Sequence, residues 1–476
     1  MGAVSASASN YNLPSIHFGD VMLTYELKKS PGVPLYEALY RCIRSDILTG
    51  RLAAGEKLPS KRALATHLEV SKITVETAYS QLLAEGYISS REKIGYFVEA
   101  LEHAPAVPAP AILPPREQPQ PLLDLTGAGS QQFPFSVWSK LQREVMLDHG
   151  EKLLLPLPNL GLYELRQAIA AHLAAFRGMQ VEPENILVGA GTDFLYNLLI
   201  QLLGRDKIYA VEEPGYSKIR QIYNAGGVRC VSAAMDEAGV DPRTLAGDVL
   251  HISPSHHFPT GLVTPLSRRK ELVNWAKAGE KWIIEDDYDS EFRFDAHPMS
   301  TLRSLDSRRV IYMNSFSKTL APSIRISYMV LPGELMEEFQ ARLGFYSCTV
   351  PSFEQYTLAR FLSRGYFEKH INRMRKFYKN RRNQVISLLK NCEFSDKFTI
   401  LEQDAGLHFL LKLDTELTDE ALTQRLAQLG IRVRTLSHYY HHDPGEEKLH
   451  HLVVNYAALD PARLEEALTH FSCLFA

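Results

Sequence analysis

Between Ala104 and Pro121 the chain reads Ala-Pro-Ala-Val-Pro-Ala-Pro-Ala-Ile-Leu-Pro-Pro-Arg-Glu-Gln-Pro-Gln-Pro. No helix or central strand can run through such a stretch, because proline has no amide hydrogen to donate and its ring fixes φ. Where it adopts polyproline II it spans roughly 3 Å per residue as a semi-extended tether. Everything else must fold on one side of it or the other. The 476 residues are in any case too many for one ordinary core. The expected division is a flexible, weakly patterned arm (1–33), a compact head (34–99), the linker (100–122) and a large body (123–476).

Composition narrows the class. Apolar residues make up 45% and charged residues 22%, the proportions of a soluble globular protein. The formal net charge is -3, so no global positive field advertises nucleic acid and any such footprint would be local. Cys42, Cys230, Cys348, Cys392 and Cys473 are odd in number, far apart and without paired zinc spacing. They read as reduced thiols of a cytoplasmic protein, not as a disulfide framework or a metal site. No basic-then-apolar leader and no apolar run of membrane-spanning length is visible, so the expected location is cytoplasmic and off the membrane.

In the head, Leu39, Cys42, Ile43 and Ile47 recur at the spacing of an amphipathic helix. Lys61–Leu68 and Ser71–Leu83 read as two short helices around a break at Glu69-Val70, with Ser71 as N-cap. Tyr87-Ile-Ser and Gly95-Tyr-Phe-Val98 then form a strand pair, which completes a winged helix-turn-helix. Ser71, Lys72 and Thr74 open the second helix, where free amides and the helix dipole favour phosphate and base edges. Ser60, Lys61 and Arg62 open the preceding helix, and Arg91 and Lys93 tip the wing. Over residues 35–98 nine Lys or Arg stand against seven Asp or Glu, a basic rim on a near-neutral domain. A charge cluster alone is usually only a solvated face. Here Leu58-Pro-Ser-Lys-Arg-Ala-Leu-Ala65, Val70-Ser-Lys-Ile-Thr-Val75 and Leu83-Ala-Glu-Gly-Tyr87 follow one another in order, and together they resemble the winged-helix domain of the GntR superfamily. The resemblance implies binding to double-stranded operator DNA, with Arg62, Lys72 and Thr74 at the duplex; Ser60, Ser71 and Lys93 are further DNA-binding candidates. The wing departs from the family in keeping one glycine, Gly95, where two are usual.

In the body, helical stretches alternate with apolar runs such as Ile186-Leu-Val-Gly189, Val249-Leu-His-Ile252, Trp282-Ile-Ile-Glu285 and Val310-Ile-Tyr-Met313. That alternation predicts an α/β domain with a mainly parallel sheet, its large lobe at about 170–340 and its small lobe at about 350–476. Four segments could carry chemistry. Lys318 follows an apolar strand and offers an amine for imine formation, with Ser315, Ser317 and Arg325 suited to a phosphate. Asp286 and Tyr288 lie in Trp282-Ile-Ile-Glu-Asp-Asp-Tyr-Asp-Ser-Glu291; the carboxylate could keep a facing pyridine nitrogen protonated and the tyrosine could donate to a phenolic oxygen. Successive carboxylates on an extended chain point to opposite faces, which disfavours a metal cluster. Backbone amides of Gly191 and Thr192 at a helix start could bind phosphate, and Tyr216 could stack on a flat ring. Taken singly these are weak signals, since a lone lysine in a serine-rich loop is usually a surface residue.

In this order the four segments resemble the fold-type I aminotransferases, from about residue 124 to the C-terminus, and with the head in front the chain resembles the MocR/GabR-type regulators. The resemblance implies pyridoxal 5′-phosphate (PLP) held as a Schiff base on Lys318, Asp286 on the ring nitrogen, Tyr288 near O3′ and Tyr216 against the ring. Around the phosphate it implies Gly191, Thr192, Ser315, Ser317 and Arg325. Three positions depart from the aminotransferases: Phe258 replaces an Asn (as in the regulators), Pro156 a phosphate-binding Tyr, and Val453 the Arg that grips a substrate carboxylate. Arg432, Arg434, Lys218 or Arg220 would have to substitute for that Arg, with His438, Tyr439 or Tyr440 at the entrance; Arg432, Arg434 and Tyr439 are taken as the effector-site candidates. The expected function is a homodimeric, PLP-dependent transcription regulator that senses an amino compound or PLP itself through internal and external aldimines. The alternative is a working aminotransferase with an accessory DNA-binding head, and the missing carboxylate anchor counts against it. Retention of the lysine, aspartate, tyrosine and phosphate arginine argues against an inert scaffold. Shortening the run 104–121 should change the half-site separation that the protein prefers, measured by gel shift on operators of graded spacing; variants that bind and respond like the parent would remove the linker from the mechanism.

Overall fold

A computed structural model of the chain describes residues 23–25, 27, 34–92, 94–100, 121–127, 132–292, 300–401, 406–443 and 445–471. The chain divides into two compact units, 1–118 and 119–476, with the division inside the proline-rich run. Most of the expected arm and residues 101–120 of the expected linker lie outside the described residues.

The first unit runs α1 (Leu35–Leu48), β1 (Lys57–Leu58), α2 (Lys61–His67), α3 (Lys72–Ala84), β2 (Ile88–Arg91) and β3 (Gly95–Val98). The apolar periodicity of α1 buries Leu39, Tyr40, Ile43 and Ile47, and α3 buries Val75, Ala78, Tyr79 and Leu82 against them. Between α2 and α3 the turn is made by Glu69 at φ +54°, while the Val70 amide reaches back to the Ala65 carbonyl. Strands β1, β3 and β2 pair antiparallel in that order to form the wing. Part of the arm is ordered: Leu23, Tyr25 and Leu27 pack on this core, and the Tyr25 hydroxyl donates to Asp46 at 2.9 Å.

The second unit opens with β4 (Leu123–Asp124), α4 (Phe135–His149) and α5 (Tyr163–Arg177). Then come β5 (Ile186–Gly189), α6 (Thr192–Leu203), β6 (Ile208–Glu213), α7 (Ser217–Ala225), β7 (Arg229–Asp236), β8 (Gly239–Val240) and β9 (Val249–Ile252). They are followed by α8 (Leu266–Ala278), β10 (Trp282–Asp286), α9 (Leu302–Leu305), β11 (Val310–Ser315), α10 (Phe316–Thr319) and β12 (Ser327–Val330). Helices α11 (Gly333–Leu343), α12 (Ser352–Ser363) and α13 (Tyr366–Lys390) lead to β13 (Phe398–Leu401), β14 (His408–Leu413), α14 (Asp419–Gln428), β15 (Ile431–Arg432), β16 (His451–Asn455) and α15 (Pro461–Phe471).

Eight strands form one sheet in the order β5-β12-β11-β10-β9-β6-β7-β8. It is mainly parallel, as expected, with two exceptions: β12 runs antiparallel to both β11 and β5, and β8 to β7. The connection 316–326 is too short for a parallel crossover, so β12 must return alongside β11. Since β12 opposes both its neighbours, β5 points the same way as β11, and the C-terminal ends of β5, β11, β10, β9 and β6 share one edge. Strand alternation splits the core: Val188, Tyr312 and Tyr328 face a cluster that includes α5, α12 and α13, while Leu187, Ile311 and Met329 face one built with α6 and α11. A second sheet, β13-β14-β16, is antiparallel, and β4 pairs with β15, so residues 123–124 help to build the C-terminal part. Among the described residues no helix is long and apolar enough to cross a membrane. Leu82 is fully buried where α1 and α3 meet. Leu82→Ala should therefore cost the head about 2–5 kcal/mol, read in urea as a lower midpoint for its transition at unchanged slope.

Candidate functional site

On the head, Ser60 and Ser71 are N-caps: each hydroxyl accepts the amide three residues on, from Ala63 and Thr74, at 3.1 Å. Ser71 Oγ also lies 2.8 Å from Thr74 Oγ1. Arg62 and Lys72 are exposed on the first turns of α2 and α3 and form no ion pair among the described residues. Lys61, by contrast, is tied to Glu76 at 2.7 Å across the two helices. Arg91 lies over the Phe97 ring at 4.4 Å, and Lys93 is outside the described residues.

In the second unit the four segments meet at the shared strand-end edge. Glu285 and Asp286 close β10 and Asp287 follows it, all buried, and their side chains find different surroundings. Glu285 accepts the amides of Leu302 and Arg303 (2.8 and 3.0 Å) and lies 3.8 Å from Arg269. Asp287 pairs with Arg177 at 2.8 Å and accepts the hydroxyls of Tyr312 and Ser290. Burial raises the Asp287 carboxyl, and Arg177 with these hydroxyls more than reverses it. Among the described residues Asp286 has no such cation. Its Oδ2 accepts the Tyr196 hydroxyl at 2.5 Å and stands 3.5 Å from His251 Nε2, while Oδ1 is buried with no hydrogen-bond partner among the described residues. Asp287 also leaves one oxygen unbonded, but its charge is met by Arg177.

Lys318 sits in α10 just beyond β11. Burial lowers its amine below the ordinary lysine value, with Asp289 opposing. Ser315 Oγ caps that short helix by accepting the Ser317 amide at 3.1 Å. Arg325 has a left-handed backbone (φ +50°), a strained conformation for a side chain of its size. Its guanidinium lies against Gly191, where an added Cβ would come within 2.3 Å of Nη2. Gly191 caps α6 and Thr192 opens it, so Arg325 lies beside the start of that helix; Asp193 joins them, 3.3 Å from Arg325 and 2.7 Å from Lys218. The partly exposed Tyr216 packs edge-on to Phe258, with centroids 6.0 Å apart. Tyr288 differs from expectation in one respect: its hydroxyl hydrogen goes to the His256 carbonyl at 3.1 Å. Tested against PLP, the set fits: an unpartnered carboxylate oxygen, a buried amine on the same edge, and a glycine–arginine cradle.

Several residues of this site stand out only in the folded chain. His251 lies in β9, accepts or donates at the Tyr223 hydroxyl (2.7 Å), and backs Asp286. His256 pairs with Asp289 at 2.8 Å and stacks obliquely on His408 at 4.6 Å. Gly406 passes so close that a Cβ would strike the His256 ring. The effector candidates scatter. Arg432 pairs with Asp124 at 3.2 Å, Arg220 bonds Ser232 at 2.7 Å, and Arg434 lies at the Tyr439 hydroxyl. Tyr439 is buried with Leu410, Leu436 and Val453, and Phe258 packs on that cluster. Val453 thus fills an apolar wall. Among the described residues no group of three or more His, Cys, Asp or Glu is placed to hold a metal.

A profile described as "Bacterial regulatory proteins, gntR family" matches residues 35–98, and one described as "Aminotransferase class I and II" matches residues 124–471. The chain is 37% identical over 432 residues to the uncharacterized HTH-type transcriptional regulator YhdI of Bacillus subtilis, covering 88% of this chain and 91% of the relative. It is 32% identical over 476 residues to the probable rhizopine catabolism regulatory protein MocR of Rhizobium meliloti (94% and 95% covered). Identity is 34% over 403 residues to the pyridoxine biosynthesis transcriptional regulator PdxR of Corynebacterium glutamicum (84% and 87% covered). Among solved structures, the Pyrococcus horikoshii kynurenine aminotransferase aligns with a TM-score of 0.65 at 23% identity, over 75% of this chain and 91% of that one, which speaks to fold alone.

Glu212, the penultimate residue of β6, is largely covered, accepting the Ser253 amide at 2.9 Å with His257 Nε2 at 3.6 Å. Burial pushes its carboxyl up to about 8 and the His257 imidazole down to about 3. The folded chain keeps the Glu212 proton to higher pH than the unfolded chain does. That contribution to stability is complete below the ordinary carboxyl value and is lost as pH rises through about 8. Glu212→Gln should therefore gain stability relative to wild type progressively between pH 5 and pH 8.5, measured by urea unfolding across that range; a gap independent of pH would exclude the buried proton.

Proposed function

Because this chain belongs to the MocR-type regulators of the GntR family, a winged helix fused to an aminotransferase class I and II domain, we propose that it is a DNA-binding transcription regulator whose second unit holds PLP on Lys318. The signal it senses is a primary amine or PLP itself. The relative named for pyridoxine biosynthesis supports the second source.

When bound, PLP would supply an aldehyde that captures amines covalently and a ring that withdraws electrons once its nitrogen is protonated. The protein's part follows from its own residues. Burial keeps more of the Lys318 amine uncharged and nucleophilic at neutral pH. Asp286 would offer Oδ1 to a protonated ring nitrogen while Tyr196 holds Oδ2. Arg325 and the amides of Gly191 and Thr192 would hold the phosphate, with the Ser315 and Ser317 hydroxyls beside them, and Tyr216 would lie against the ring. Tyr288 would turn its hydroxyl from the His256 carbonyl to O3′. The apolar wall at Val453 removes the grip on a substrate carboxylate and favours a sensor over a transaminase. Arg434 and Tyr439 are the remaining effector contacts, since Arg432 is engaged by Asp124.

On the DNA side, Arg62 and Lys72 would meet phosphate or base edges, Thr74 would contact the duplex from the first turn of α3, and Ser60 and Ser71 would orient the helices; Lys93 would extend the contact through the wing. We read the protein as a cytoplasmic homodimer. A partner subunit would cover Leu147, Leu154, Leu155 and Phe345, large apolar side chains exposed on the second unit. Two heads would then read two half-sites.

The observation that carries the reading is the Asp286 oxygen left without a hydrogen-bond partner among the described residues, on the same strand-end edge as Lys318. Lys318→Ala should lose the visible absorbance of the PLP-loaded protein and the amine-dependent change in operator affinity, while its affinity without effector stays within about twofold. The check is absorbance and fluorescence anisotropy on the same titration. An undiminished amine response in the variant would overturn the assignment, and sustained keto-acid production by wild type would favour the enzyme.

A further inference from the structure

Ile73, the second residue of α3, is 73% exposed. It stands out further than the other exposed large apolar side chains described in the head, Ile94 at 57% and Leu48 at 46%. The opposite face of α3 is spent on the core through Val75, Ala78, Tyr79 and Leu82. Its polar neighbours do not cover it: Glu76 is drawn to Lys61 at 2.7 Å, and Thr77 Oγ1 folds back on the Ile73 carbonyl at 2.9 Å. A β-branched side chain with few rotamers is thus held in water on the first turn of the helix that follows the tight turn. In helix-turn-helix proteins that turn is the part that meets base edges in the major groove.

An aliphatic side chain can bond neither a phosphate nor a base nitrogen or oxygen. The major groove presents one apolar group on its base edges, the C5 methyl of thymine. We propose that Ile73 determines operator specificity by packing on the methyl group of one thymine in each half-site. The assignment rests on the family's DNA-binding role and adds to it the base that the helix reads.

The test uses the full-length chain and duplexes selected by it from a random pool. Each thymine of the selected site is replaced in turn by deoxyuridine, which removes only the methyl group. Wild type should lose about fourfold in affinity at one thymine per half-site, the weight of one methyl taken from water. Ile73→Ala, which removes the side chain from both heads, should bind the unmodified duplex about as weakly as wild type binds a duplex carrying that deoxyuridine in both half-sites, and should be indifferent to the replacement in either. Ile73→Val should retain most of the discrimination. Affinity for unselected DNA and its salt dependence should match wild type in both variants, because no charge changes, and that match also reports a folded head. The proposal is overturned if every replacement is silent for wild type, as it would be were Ile73 packed on a sugar or on protein, or if the penalty persists in Ile73→Ala. A pool that yields no preferred sequence would count against the DNA-reading role itself.

Discussion

Glu285, Asp286 and Asp287 stand in a row at the buried end of β10, and so much charge away from water obliges the fold to answer each one separately. Alternation along an extended chain sends their side chains in different directions. Two backbone amides and Arg269 meet Glu285; Arg177, Tyr312 and Ser290 meet Asp287. Removing one partner from a buried pair of this kind costs about 3–5 kcal/mol, so α5, which carries Arg177, is bound to the sheet by electrostatics as well as packing. Asp286 is answered only on one oxygen, by Tyr196. The same constraint that makes its neighbours structural leaves this residue available for chemistry.

The site assembles where it does because five strands end on one edge. Gly191 follows β5, Tyr216 follows β6, Phe258 follows β9, Asp286 ends β10 and Lys318 follows β11, while Arg325 precedes the antiparallel β12 and so arrives at the same place. Strain gathers there too, in the left-handed Arg325 pressed on a glycine. Around this polar centre the wall of Phe258, Tyr439 and Val453 is apolar. A wall of that make-up supplies no cation to clamp a carboxylate. A regulator can do without one, because a bound signal acts by preferring one conformation over another and needs no turnover.

Local features were largely legible in the sequence. Proline chemistry located the division of the chain, apolar spacing located α1, and serines at positions 60 and 71 announced the starts of α2 and α3, since capping involves only residues three apart. Lys318, Arg325, Gly191 and Asp286 could be singled out because their chemistry is written in short segments. The exposed side of α3 was legible as a reading face, but the isolation of Ile73 on it was not, because it depends on Lys61 drawing Glu76 aside from another helix.

What tertiary structure alone decided were relations between distant segments. That His251 would back Asp286, that His256 would pair with Asp289 beside Lys318, and that Asp124 would claim Arg432 all depend on which strands lie side by side. The choice of Asp286 among three consecutive acids gains its physical reason only from the fold, which sets Arg177 against Asp287 and Arg269 against Glu285. The motif supplies groups with the right reactivity, whereas charge balance in a low-dielectric interior is a property of all the neighbours at once.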